Sequence, residues 1–529
     1  DLADLAALAE AAGGEGADLL GVNPLHALFF SAPAARSPYS PSSRSFLNWL
    51  LVAPDLVPEI AGDADLARDL AAAREEVRHS DDHALVDHAA TAARRRRLLE
   101  AGFVRFRNGH LGERPTPRGR AFEAFRQGGG EALRRHCLFE ALQEHFMAGG
   151  ETPARFAWRD WPAPYRDPSG PEVLAFAEDH ADRLAFFAWL QWLADDQLRA
   201  VQDRARAAGM RLGLYRDLAV GVDPGGSAGW SLRGVAARGA TVGAPPDLFN
   251  PLGQDWGLAP LAPQALEAAG FGPWIADIRA NMRHAGALRV DHVLGLQRLY
   301  WVPTGAGPAD GAYVRDPFAT MAAILALESH RHRCLLVGED LGTVPPGFRP
   351  AMERAGIMGC RVLYFEQGED GLPTPVGDYQ RLAAASVGTH DLAPLRGWLD
   401  GTDLGWRERL GLFPTPASAA ETRAGRAGDR DRLLEALRAA GLLGAGDDDA
   451  DPEAVAIAAH RWLARTPSAL LLVQLEDLAL QAEAVNLPGT LDEHPNWRRR
   501  LGGIALEDLL EAPFARRLLA ALREERPRA

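Results

Sequence analysis

The chain is 529 residues long, with 47% hydrophobic and 24% charged residues, which suits one large decorated domain or several smaller ones. Its formal net charge of −14 disfavours a nucleic-acid partner. All 57 basic residues are arginine, so chemistry that requires a lysine amine, such as a pyridoxal Schiff base or a standard P-loop, is excluded. The arginine run 94–97 reads as a solvated helix face. Cys137, Cys334 and Cys360 form no CxxC and no pairing pattern, which fits a reducing, cytoplasmic compartment. No apolar run reaches the ~18 residues of a membrane span, and no secretory signal is visible, so no membrane partner is expected.

Taken in chain order, seven short apolar runs predict buried strands: 18–24, 211–220, 287–293, 334–341, 360–366, 382–391 and 469–478. Helical segments separate them, which predicts a parallel sheet and the α/β class. An (β/α)8 TIM barrel needs eight such strands. The chain opens at Asp1 on a helical pattern without an initiator Met, so the first barrel strand is expected to be missing before Asp1. The expected organisation is a barrel start at 1–55 and a helical insertion subdomain at 56–205. A catalytic barrel follows at 206–400, then a second helical insertion at 401–465 and the barrel end at 466–529. The Gly- and Pro-rich stretch 243–260 is too long for an ordinary connection and reads as an irregular active-site loop.

Three of the runs deliver an acid at their C-terminal end: LRVDHV with Asp291, LLVGEDL with Glu339 and SVGTHDL with Asp391. The intervals leave room for crossover helices, so the three carboxylates can converge at one face of a parallel barrel. Such a set is what cleavage of a sugar–sugar bond needs. Arg289 lies two residues before Asp291, so in a strand the two side chains share a face and the arginine holds the carboxylate ionised. This favours Asp291 as nucleophile. Glu339 has a longer reach and no arginine beside it in sequence, which suits a general acid/base. Asp391, after His390, would bind hydroxyls of the cleaved sugar and stabilise the transition state.

The motifs that surround these acids are long and idiosyncratic: GVNPLHALF (21–29), SPYSPSSR (37–44), DLAVGVDP (217–224), GAPPDLFNPLGQDWG (243–257), LRVDH (288–292), GEDLGTVP (338–345), GTHDLAPLRGW (388–398), VNLPGT (485–490) and NWRR (496–499). Through them the chain resembles the 4-alpha-glucanotransferases (amylomaltases or disproportionating enzymes, glycoside hydrolase family 77), specifically their bacterial maltodextrin-metabolism branch. The resemblance implies a TIM barrel with large, mostly helical insertions and the same three roles for Asp291, Glu339 and Asp391. It also implies that Arg289, His292 and His390 surround the cleaved sugar. Asp247, Gln254 and Trp256 would lie on a covering loop, and Tyr39, Asp217 and Asn486 would line the glucan groove. Donor and acceptor would both be maltodextrins. The mechanism calls for no metal and no organic cofactor, and the oligomeric state stays open.

The residues themselves carry retaining glycosidic chemistry. Whether water or a second sugar attacks the intermediate is not written in them, so an alpha-glucan hydrolase on the same scaffold stays open. So does a non-catalytic glucan-binding relative. A metal-dependent hydrolase is a further alternative, since HSDDHALVDH (79–88) places His79 and His83 four apart. No HExxH or HxH accompanies that run, and a solvated helix face is the better reading of it.

Overall fold

The computed structural model describes residues 1–78, 84–148, 156–246, 252–444, 451–502 and 504–527. Asp247, His79 and His83 lie outside these described residues. The chain divides into two compact units. The first comprises Asp1–Glu10, Asp18–Asp81 and Asp87–Leu335; the second comprises Ala11–Ala17, Asp82–Val86 and Leu336–Ala529.

Each apolar run that predicts a strand overlaps one, though the strand at 360–366 begins earlier, at Ile357. In the first unit Leu19–Gly21 pairs in parallel with Gly213–Leu218, which pairs in parallel with Ala287–Val290. Every residue of Gly213–Leu218 is buried, as expected of a strand covered on both faces. In the second unit Leu336–Gly338 of the strand Leu335–Gly338, then Ile357–Val362, Ala383–Ser386 and Leu470–Leu471, follow one another as parallel neighbours. The strands are shorter than the runs. Of 469–478 only Leu470–Leu471 is strand, and Leu475–Leu478 turns into a short helix.

Long helices fill the interval between the first two strands, among them His88–His110, Pro117–Ala148 and Ala181–Ala207. The first is capped by Asp87, whose carboxylate accepts from the Ala90 N–H at 2.9 Å. Aromatic rings interlock where they meet: Phe106 stands edge-on to Phe122 at 5.3 Å, and Phe103 tilts against fully buried Trp189 at 5.6 Å. Ala181–Ala207 is pinned by two buried amides. Gln191 bonds both the N–H and the carbonyl of Leu47, and Gln197 does the same to Ala53. Each amide satisfies backbone groups that would otherwise be buried unpaired.

The stretch read as an irregular loop is different. Ala240–Ala244 and Gln254–Leu258 are antiparallel strands of a four-stranded sheet completed by Arg298–Pro303 and Ala312–Arg315. Gly243 serves close approach rather than looseness. A Cβ on Gly243 would stand 2.1 Å from the Gln254 carbonyl oxygen, beside a register shift at Val242/Gly243.

One buried acid makes the helical packing sensitive to pH. Glu140 is 3% exposed, and one of its oxygens accepts from the Phe30 N–H at 3.3 Å while the other has no partner. Burial pushes its carboxyl up to about 8. The folded protein therefore holds a proton that the unfolded chain releases above the ordinary value of 4.5, and stability falls as pH rises from there to about 8. Glu140→Gln is expected to lose less stability than the parent between pH 5 and pH 8. Urea unfolding midpoints at the two pH values measure the difference.

Candidate active site

In the first unit one arginine organises the strand ends. Register places Asp217 directly opposite Arg289 on adjacent parallel strands. One guanidinium nitrogen of Arg289 donates to both Asp217 oxygens at 2.9 and 2.7 Å, and another pairs with Asp291 at 2.9 Å. The planar fork thus bridges two carboxylates, a geometry that a lysine ammonium does not supply. All three side chains are largely withdrawn from water, with 14% exposure for Arg289, 6% for Asp217 and 18% for Asp291. The expected same-face pairing of Arg289 and Asp291 is therefore present. The Asp291 N–H also donates to the Leu218 carbonyl at 3.0 Å, which fixes its backbone to the neighbouring strand end.

The Tyr39 hydroxyl donates to Asp217 at 2.6 Å. Burial and then the charge of Asp217 raise its pKa well above the ordinary value, so it remains a donor. His292 follows Asp291 with φ of 42°, a left-handed conformation uncommon outside glycine. This bend turns its ring edge-on to Trp256, 5.2 Å away. Burial lowers the His292 pKa, opposed by Asp291. The Trp256 indole N–H donates to Gln254 at 2.9 Å, so Gln254, Trp256 and His292 form one contiguous wall.

In the second unit Glu339 directly follows the strand Leu335–Gly338 and is 8% exposed. Its carboxylate accepts from the Leu341 N–H at 2.5 Å. Asp391 is more open, with 47% side-chain exposure; Asn486 donates to it at 2.7 Å and His390 Nε2 lies 3.2 Å from its other oxygen. The His390 ring packs 5.7 Å from Trp497. Asn486, His390 and Asp391 are thus brought together.

Sequence reasoning passed over three further residues here. Asp340, beside Glu339, is completely buried and receives Arg361 at 3.1 Å, Arg349 at 2.7 Å and the Cys360 N–H at 2.8 Å. This clamp fixes the chain that carries Glu339. Glu476 lies inside the last apolar run, on the short helix that follows its strand. Burial raises its pKa, with its own backbone N–H and His390 opposing. The adjacent Asp477 is 2% exposed and accepts from the Leu395 N–H at 2.8 Å. Among the described residues no group of three or more His, Cys, Asp or Glu is placed to hold a metal ion, and no helix is long and apolar enough to cross a membrane.

A family model described as 4-alpha-glucanotransferase matches residues 1–505. The chain is 41% identical over 539 aligned positions to a 4-alpha-glucanotransferase of Mycobacterium tuberculosis, covering 99% of this chain and 72% of the relative. It is 38% identical to one of Haemophilus influenzae, covering 95% and 72%. The crystal structure of amylomaltase from Corynebacterium glutamicum superposes with a TM-score of 0.85 at 34% identity, over 99% of this chain and 72% of that one. An amylomaltase from Streptococcus agalactiae in complex with acarbose shares the fold, with a TM-score of 0.74 at 19% identity over 96% and 91%. The fold is accordingly of the (β/α)8-barrel class with large helical insertions.

Asp340→Asn keeps the shape of the clamp but leaves buried Arg361 short of its counter-charge. It is expected to cost about 3–5 kcal/mol of stability, as for other broken buried ion pairs. Denaturant unfolding measures the loss.

Proposed function

The chain belongs to the 4-alpha-glucanotransferase family, and on that premise we propose that it moves alpha-1,4-glucan segments between maltodextrins through a covalent glycosyl-enzyme. Asp291 attacks the anomeric carbon while Glu339 protonates the departing glycosidic oxygen. Glu339 then takes the proton from the 4-hydroxyl of an acceptor glucan, which attacks the intermediate and restores the alpha configuration. Asp391, oriented by Asn486 and His390, binds hydroxyls of the cleaved sugar as its ring gains positive charge.

The observation that carries this reading is the Arg289 fork between Asp217 and Asp291. A nucleophilic carboxylate must be aimed, and a guanidinium shared with a second, buried carboxylate holds it in place. Arg289, Asp217 and Tyr39 also offer hydrogen bonds to sugar hydroxyls. Trp256, edge-on to His292, adds apolar surface beside the nucleophile. Such surface favours attack by a bound sugar over attack by water. Asp247, Gln254 and Asn486 are proposed glucan contacts through their motifs. No metal or organic cofactor takes part in these steps. The free thiols of Cys137, Cys334 and Cys360 support a cytoplasmic setting.

Pure maltotriose is expected to yield glucose together with a ladder of longer maltodextrins, read by chromatography over time. Glucose and maltose alone would mean hydrolysis instead. Arg289→Lys keeps the positive charge but not the fork. It is expected to lower kcat/KM by about 100-fold, the scale of a misplaced reacting group, mainly through kcat. An unchanged kcat would remove the fork from the mechanism.

A further inference from the structure

Sheet pairing along the strand Gly213–Leu218 ends where Leu218 meets Val290, yet the chain stays buried beyond it, with Ala219 1% exposed. Backbone groups past the strand end need other partners. Side chains of one antiparallel pair, His26–Ala27 with Ser43–Leu47, supply them. The Ala219 N–H donates to His26 Nε2 at 3.2 Å. The carbonyls of Ala219 and Val220 both accept from one Arg44 nitrogen at 2.8 Å. Leu218, between Asp217 and this braced stretch, is the residue whose carbonyl takes the Asp291 N–H at 3.0 Å. Both carboxylates bridged by Arg289 are therefore tied to the same short piece of backbone.

Each brace is itself fixed. Arg44 is 6% exposed, and two further nitrogens of its guanidinium face one Asp277 oxygen at 3.1 and 2.8 Å. The Ser45 hydroxyl donates to the other Asp277 oxygen at 2.5 Å, and Asn281 donates to the Arg44 carbonyl at 2.9 Å. A planar guanidinium serves the carboxylate and both carbonyls at once, which a lysine ammonium does not. His26 is 1% exposed. Because its Nε2 accepts, its proton sits on Nδ1, which is buried with no partner among the described residues. Burial, then the charges of Arg216 and Arg44, hold its pKa well below the ordinary value, so the ring stays neutral and keeps its acceptor. An apolar side chain here would avoid the unpaired Nδ1–H but would leave the Ala219 N–H without an acceptor.

We propose that His26 and Arg44 are positioning residues for the glycosidic chemistry. By fixing the backbone at Ala219 and Val220 they set where the Asp217 carboxylate and the Leu218 carbonyl stand, and through these where Asp291 aims. The inference rests on the reading of Asp291 as nucleophile.

Fluoride release from alpha-maltosyl fluoride by the full chain tests it. Fluoride departs as the anion when Asp291 bonds to the anomeric carbon, so the readout follows the aim of the nucleophile and needs no proton from Glu339. His26→Leu and Arg44→Lys are each expected to lower kcat at least about tenfold, the scale of a slightly misplaced reacting group, with a smaller change in KM. His26→Gln returns a neutral acceptor at similar reach and is expected to recover most of the loss. Arg44→Lys remains informative should His26→Leu fail to fold. Phe122→Leu, which loosens the packing of the insertion helices, is the control for stability: it is expected to lower the unfolding temperature and keep kcat when assayed well below it. Unchanged kcat in the His26 and Arg44 variants, or an equal loss of kcat in Phe122→Leu, overturns the proposal while leaving the glycosidic reading standing. A parent that releases no fluoride overturns that reading, and the proposal with it.

Discussion

The electrostatics of the first unit's strand ends turn on one guanidinium placed between two carboxylates. Arg289 reaches Asp217 across the sheet and Asp291 along its own chain, and Tyr39 closes the far side of Asp217. Removing Asp217 from water is costly, and the arginine and the phenol offset that cost. The reward is positional. Asp291 cannot rotate away without breaking an ion pair whose other end is anchored on a different, fully buried strand.

The second unit solves the same problem by another route. Asp340 anchors the chain through Arg361, Arg349 and the Cys360 N–H, which leaves Glu339, the preceding residue, to face its own surroundings. Two adjacent acids therefore do opposite work, one fully charge-paired and structural, the other a proposed proton carrier. Past the last strand the adjacent acids Glu476 and Asp477 differ from that pair: burial raises the pKa of both, and Asp477 also accepts from the Leu395 N–H.

Local signals were legible in the sequence; partnerships between distant segments were less so. Each of the seven apolar runs overlaps a parallel strand, because continuous hydrophobicity bounded by turn residues marks a strand of a parallel sheet. The two-residue spacing of Arg289 and Asp291 placed them side by side for the same local reason. The Asp217–Arg289 pair depends on register between strands far apart in the chain, which spacing does not encode; resemblance named both residues without joining them. The strands within 243–260 were obscured because glycines needed for close backbone approach resemble glycines that permit a loose loop. Asp340 was hidden by its neighbour: an acid after a strand reads as functional once, and the second acid's buried partners, Arg349 and Arg361, lie further along the chain.

Family membership fixes the class of reaction, and the fork gives Asp291 a physical reason to be the residue that bonds to sugar. That bond can be observed directly. A Glu339→Gln variant, incubated with a maltosyl fluoride donor and quenched in acid, is to be digested and its peptides mapped by mass spectrometry. A glycosyl adduct on the peptide bearing Asp291, localised to its carboxylate, is the predicted result. An adduct on Asp391 or another carboxylate, with Asp291 unmodified, would contradict the account.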